Sequence, residues 1–121
     1  MMSTEQIKTL ITKSMENIGW GVRWENGYVT FSNESPLGED ISFELNYRED
    51  HFIKSIIQDL YNRAFALHFY FNYQDHAAEW YNMHGKNGAP TDLYALLKDA
   101  QDILEIYIEL EHTAYNLLRN S

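Results

Sequence analysis

The chain has 121 residues, a formal net charge of −9 and a pI near 4.8, so it has the size of one domain and is strongly acidic. This charge argues against duplex DNA, RNA or an anionic membrane as a partner, because those surfaces require clustered Lys and Arg side chains. The sequence has no cysteine, which excludes disulfides, thiolate metal ligands and a cysteine nucleophile.

The hydrophobic content of 45% is too high for a disordered chain. The N-terminal segment is amphipathic and has no apolar core of the kind found in signal peptides. No apolar run approaches the length of a membrane span. We therefore expect one cytoplasmic domain, residues 1–121, without a membrane partner.

The first predicted element is a helix over about residues 4–17. Ser3 and Gln6 form a capping box, which satisfies free N–H groups at a helix N-terminus, and Gly19 stands where helices commonly end. Apolar residues then follow at helical spacing. They are Ile7, Leu10, Ile11, Met15 and Ile18.

A β-hairpin is predicted between Trp20 and Ser32. Asn26-Gly27 favours a two-residue type I′ turn, which pairs Glu25 with Tyr28. In that register one face of the hairpin is apolar and the other polar, as a half-buried antiparallel sheet requires. The apolar face carries Trp20, Val22, Trp24, Val29 and Phe31.

A third strand and two helices are predicted after the loop over residues 33–40. Residues 41–47 alternate, with Ile41, Phe43, Leu45 and Tyr47 pointing inward. Asp50 is the predicted cap of a second helix that ends near Phe69. Its apolar stripe includes Phe52, Ile53, Ile56, Ile57, Leu60, Tyr61, Ala64 and Phe65. Residues 70–73 are expected to be a connector, and a short third helix ends at His84-Gly85.

The last predicted element is a long helix capped by Thr91, after a loop over residues 85–90. A helix of about 28 residues is about 42 Å long, whereas a compact domain of this size is about 35 Å across. Its predicted buried stripe is Leu93, Leu96, Leu97, Ala100, Ile103, Leu104, Tyr107, Leu110, Ala114, Leu117 and Leu118. A second apolar row follows Tyr94, Ile106, Ile108 and Tyr115. We therefore expect this helix to pack antiparallel against a second copy in a two-fold dimer; the alternative is that the other helices cover both rows.

Together these elements predict an α+β fold. It consists of an N-terminal helix, a three-stranded antiparallel meander, two shorter helices and one long C-terminal helix.

Motifs for catalysis, metals and cofactors are weak. His76 and Glu79 share one helical face, but a di-metal bundle requires two such motifs and two further carboxylates. The acidic residues of the long helix, Asp99 among them, are spaced as on a solvated outer face. Residues 85–88 could hold an anion, although Asp92 already occupies the positive end of the following helix. We expect no metal, no cofactor and no enzymatic activity.

Six aromatic residues fall within thirteen positions, and not all of them can point into one core. They are Phe69, Tyr70, Phe71, Tyr73, Trp80 and Tyr81. Exposed aromatic rings are typical of an interface, or of a platform on which a nucleobase stacks. Both interpretations remain open from the residues alone.

A resemblance to a known group rests on Phe71-Asn-Tyr-Gln-Asp-His76, Trp80, Asn87-Gly-Ala-Pro90 and Leu97-Lys-Asp-Ala100. This block resembles one in small proteins of Firmicutes phages and mobile elements, although Asn72 stands where that pattern has an acidic residue. The overall layout is similar to the Thoeris anti-defence family. That resemblance implies a phage protein that sequesters a cyclic ADP-ribose-type nucleotide without cleaving it, in pockets at protomer junctions.

Such a ligand requires an aromatic ring for its adenine and a guanidinium group for its pyrophosphate. The candidates for the ring are Phe71, Trp80 and Tyr81, and those for the guanidinium are Arg23, Arg63 and Arg119. The rival hypothesis is an acidic inhibitor that binds a basic host defence protein. Neither hypothesis involves binding to nucleic acid.

Overall fold

The computed structural model describes residues 3–48, 52–84 and 92–120. Its elements are α1 (Thr4–Glu16), β1 (Gly21–Glu25), β2 (Tyr28–Ser32), β3 (Phe43–Asn46), α2 (Phe52–Phe71), α3 (Gln74–His84) and α4 (Leu93–Asn120). This order is the predicted α+β arrangement. The predicted caps Asp50 and Thr91 and the loop over residues 85–90 lie outside the described residues.

Helix α1 begins at the predicted capping box. Ser3 Oγ accepts the Gln6 N–H at 3.1 Å, and Gln6 Oε1 accepts the Ser3 N–H at 2.8 Å. After the helix, Gly19 takes a φ of 93°, which lets the chain reverse into β1. The buried side of α1 carries Ile7, Ile11 and Met15, which pack into the core.

The three strands form one antiparallel sheet in the order β1-β2-β3. The register is the predicted one, with Glu25 opposite Tyr28 and Val22 opposite Phe31. The turn type differs from the prediction. Gly27 has a φ of 90°, whereas Asn26 has no positive φ, a combination typical of a type II rather than a type I′ turn.

Tyr47 gives the physical reason for this difference. Its backbone N–H donates to the Gly27 carbonyl at 3.0 Å, and its hydroxyl donates to the Glu25 carbonyl at 2.8 Å. Tyr47 directly follows β3, so these contacts constrain the turn from a segment outside the hairpin. A tertiary contact therefore overrides the local preference of Asn-Gly.

Helix α2 runs to Phe71, so the prediction of a connector beginning at Tyr70 is wrong. Phe65, the last residue of the predicted apolar stripe, is 48% exposed. Ile56, Ile57, Leu60 and Ala64 are buried as expected. The buried part of the stripe is therefore narrower than the predicted one, and the Phe65 ring is about half exposed to solvent.

Helices α2 and α4 form the most extensive contact between elements. They run antiparallel, since Tyr61 lies beside Tyr115 whereas His68, further along α2, lies beside the earlier Glu111. Two predictions for α4 are wrong: Leu93 is exposed, and Asp99, expected on the outer face, is buried. Among the described helices, none is both long and apolar enough to cross a membrane.

Candidate functional site

The buried carboxylate of Asp99 connects the loop over residues 33–42 to helices α3 and α4. Asp99 Oδ1 accepts the Leu37 N–H at 3.1 Å, and Asp99 Oδ2 accepts the hydroxyl of Tyr81. Asp99 is only 1% exposed, and Tyr81 is fully buried. The contact therefore holds three separate segments in fixed positions: the loop, α3 and α4.

The loop has a regular internal structure. The Ser35 N–H donates to the Glu39 carbonyl at 2.8 Å, and the Gly38 N–H donates to the Ser35 carbonyl at 2.8 Å. Ser35 Oγ also accepts the Glu39 N–H at 3.1 Å. Gly38 has a φ of 84°, which a residue with a Cβ rarely adopts. These contacts give the loop a defined shape.

A cleft of about 810 Å³ lies between this loop and the end of α3. We call it the loop–α3 cleft. It is lined by Ser32, Asn33, Glu34, Gly38, Glu39, Asp40, Ser42 and His84. Hydrogen bonds from the hydroxyl and N–H of Ser42 lower the pKa of the Asp40 carboxyl, which favours its charged form. Among the described lining residues, Glu34, Glu39 and Asp40 are acidic and none is Lys or Arg.

An aromatic cluster at the α2–α3 corner adjoins this cleft through His84. The Trp80 ring lies 5.3 Å from Phe71 and 5.1 Å from Tyr81, and it stacks on His84 with centroids 5.9 Å apart. The structure thus brings together the three aromatic residues named from the sequence. Phe71 and Tyr81 are enclosed in the core, whereas Trp80 is half-buried.

The three arginines named from the sequence lie apart from this cluster. Arg23 is exposed and pairs with Glu25 at 3.1 Å. The Arg63 guanidinium lies 5.7 Å from the centre of the Phe43 ring and lines a smaller groove between α2 and β3. Arg119 is exposed in the last turn of α4. No single site in the described part of one protomer combines these guanidinium groups with the aromatic cluster.

Sequence reasoning missed the acidic lining of the cleft. The segment around Glu34 and Asp40 was expected only to be a loop, and Asp99 was assigned to the solvent. The Pro36-Leu-Gly38 turn between acidic residues is a local signal for a structured loop. The position of α3 opposite this loop is determined by the tertiary fold.

Two further observations bear on function. Among the residues that the structure describes, no group of three His, Asp or Glu side chains is placed to hold a metal ion. Comparison of the chain with profiles of protein families, with curated proteins and with solved structures finds no match.

Proposed function

We propose that this chain is an acidic binding protein whose loop–α3 cleft receives Lys or Arg side chains of a protein partner. The observation that supports this proposal is the lining itself, in which the exposed Glu34 and Asp40 face one cleft and the other described lining residues add no Lys or Arg. A guanidinium group forms two parallel hydrogen bonds with a carboxylate, so such a cleft favours arginine.

The fixed shape of the loop supports the same proposal. Asp99 and the bonds around Ser35 hold the carboxylates in place before binding, which lowers the entropy lost when a partner docks. The net charge of −9 would also attract a basic protein over a distance and speed its association. In the phage setting that the sequence resemblance implies, the partner would be a basic host defence factor inhibited by occlusion.

Fluorescence anisotropy with a labelled arginine-rich peptide tests this proposal. We expect binding that weakens steeply with salt and falls by about tenfold or more in the double variant Glu34→Gln/Asp40→Asn. The matched control is Glu109→Gln/Glu105→Gln, which removes the same charge from exposed positions on α4. Equal losses of affinity in both double variants would show that the peptide responds to the net charge of the protein and does not bind specifically in the cleft.

A nucleotide-sequestering function is the second candidate, and the aromatic cluster favours it. The stacked Trp80 and His84 rings lie beside a cleft large enough for a nucleotide, and its carboxylates could accept hydrogen bonds from ribose hydroxyls. Arg23, Arg63 and Arg119 lie elsewhere in the described part of the protomer, so for the pyrophosphate of a cyclic ADP-ribose-type ligand this candidate function invokes a guanidinium from another protomer.

Thermal melting with cyclic ADP-ribose isomers tests the second candidate. A ligand at a hundred times its Kd stabilises the native state by about 2.7 kcal/mol. Because sequestration does not cleave the ligand, we expect the ligand to be recovered unchanged from the protein. The double variant of the cleft distinguishes the two functions, because it should change the affinities for the peptide and for the nucleotide in opposite directions. Glu34→Gln/Asp40→Asn would weaken binding of the basic peptide but strengthen binding of the nucleotide, because the amide oxygens still accept hydrogen bonds from the ribose hydroxyls whereas the repulsion of the phosphates is removed. If no isomer raises the melting temperature, the nucleotide proposal fails.

A further inference from the structure

A row of aromatic rings lies on the outer side of the α2–α4 pair. Phe65 stacks on Phe69 with centroids 6.4 Å apart, and Phe69 contacts Tyr73 at 5.7 Å. Across the boundary between the helices, Tyr61 and Tyr115 lie 6.1 Å apart. We call these five side chains the aromatic seam.

The helical geometry explains why these rings are left outside the core. At 100° per residue, Phe65 and Phe69 point well away from the direction of Leu60 and Ala64, which are buried. The seam is distinct from the loop–α3 cleft, since none of the cleft's lining residues belongs to it.

The five seam side chains are Phe and Tyr and add no formal charge, whereas the protein as a whole carries −9. Glu111 of α4 contacts the His68 ring of α2 at 2.5 Å, so this carboxylate already has a partner within the chain. On the seam side of α2, Gln58 and Asn62 bind each other, with the Gln58 amide donating at 2.9 Å. A protein with a net charge of −9 would be repelled by its own copy at most approaches. A neutral apolar face is the place where two copies can meet at least cost.

The exposed area fits one side of a dimer interface. Phe65, Phe69, Tyr73 and Tyr115 are 48%, 54%, 48% and 47% exposed. With about 200 Å² for each aromatic residue, they offer about 400 Å² of exposed surface, most of it on the side chains. A standard interface buries about 800 Å² on each partner, of which somewhat more than half is apolar. The seam therefore supplies most of the apolar part of such an interface.

We infer that a second copy of this chain covers the aromatic seam in a two-fold dimer. The α2–α4 pair of one protomer packs on that of its partner, which creates a bundle of four helices. A two-fold interface requires one patch to be complementary to itself, and a neutral aromatic face meets that requirement. A basic partner is better served by the loop–α3 cleft, where the exposed Glu34 and Asp40 lie together. This inference does not depend on the function proposed for the cleft.

Light scattering coupled to size-exclusion chromatography tests this inference on the full chain. We expect wild type to show twice the chain mass of 14.3 kDa at micromolar concentration. Phe69→Glu and Phe65→Glu should each shift the mass to that of a single chain, because each places uncompensated carboxylates in an apolar interface. Both positions are exposed in the protomer, so circular dichroism should show an unchanged helix content.

The matched control is Leu37→Glu. Leu37 is 52% exposed, about as much as Phe69, but it lies in the loop next to the cleft, so this variant should remain dimeric. A wild-type mass of 14.3 kDa up to a concentration of about 100 μM would overturn the inference. It would be overturned equally if both seam variants, correctly folded, kept twice that mass.

Discussion

The hydroxyl of Tyr81 donates a hydrogen bond to the Asp99 carboxylate, and both side chains are buried. The second oxygen of Asp99 accepts the Leu37 N–H at 3.1 Å. A charged group is stable in a protein interior only when hydrogen bonds replace those it made with water. This single carboxylate therefore connects the acidic loop, α3 and α4, and the shape of the cleft depends on it.

Replacing Asp99 should strongly destabilise the protein. Asp99→Ala leaves the Tyr81 hydroxyl and the Leu37 N–H without an acceptor, and we expect a loss of about 3–5 kcal/mol in the free energy of unfolding. Tyr81→Phe removes one partner of a buried carboxylate and should cost about 1.5–3 kcal/mol. Urea denaturation followed by circular dichroism measures both losses.

The control for this comparison is Asp102→Asn on the same helix. Asp102 is partly exposed and pairs with Lys98 at 3.7 Å, so its replacement should cost less than about 0.5 kcal/mol. Similar losses for Asp99→Ala and Asp102→Asn would mean that the buried carboxylate contributes little to stability.

Stability should fall at high pH because of two buried phenols. Burial raises the pKa of Tyr81 and of Tyr107 well above the usual value, assisted at Tyr81 by the hydrogen bond to Asp99. The unfolded chain releases these protons near pH 10, whereas the folded chain retains them. Their contribution to stability is therefore complete below about pH 10 and is lost as the pH rises above it.

Urea denaturation at several pH values from 9 to 11.5 checks this prediction. Each retained proton contributes a slope of about 1.4 kcal/mol per pH unit above pH 10, so Tyr107→Phe should flatten the decline by about that amount. The same variant loses the bond to the Ile41 carbonyl at 3.2 Å, a cost that does not change with pH. Tyr94→Phe, at an exposed position, should leave the slope as in wild type; an unchanged slope in Tyr107→Phe contradicts the prediction.

The secondary structure was predictable where the signal was local. Alternation on both sides of Asn26-Gly27 determined the hairpin register, because a shift of one residue would place the apolar side chains in solvent. The turn type was not predictable, since it depends on Tyr47, twenty residues away. Asp99 was misassigned for a related reason. Its helical position faces the core, but only the fold shows that Tyr81 and Leu37 are there to satisfy it.

The candidate site was predictable only in part. Phe71, Trp80 and Tyr81 lie close together in sequence, and the structure places them in one cluster. The acidic cleft joins residues 32–42 to His84, and their proximity is a property of the tertiary fold. No local pattern encodes it. The arginines were selected for the charge and shape of the guanidinium group, and neither property fixes where a side chain lies.

Replacement by alanine should destabilise the protein at Gly27, in the hairpin turn, but not at Gly21. Gly27→Ala places a Cβ at a φ of 90°, which we expect to cost about 1–2 kcal/mol in the free energy of unfolding. In Gly21→Ala the new Cβ would lie 3.6 Å from the Ser32 Cβ, an ordinary contact, so that variant should be neutral or stabilised by less than about 1 kcal/mol. Thermal and urea denaturation of the two variants measure the difference; equal stabilities would show that the turn relaxes to accept alanine.

The ion pair between His68 and Glu111 should connect α2 and α4 energetically. The two side chains are 30% and 14% exposed and meet at 2.5 Å, so solvent screens their interaction only in part. A double-mutant cycle with His68→Gln and Glu111→Gln at pH 6 should give a coupling free energy of about 1 kcal/mol, smaller in 1 M NaCl. The exposed pair Lys98 and Asp102 is the control and should couple by about 0.5 kcal/mol or less. A coupling near zero between His68 and Glu111 would mean that the helices are held by apolar packing alone.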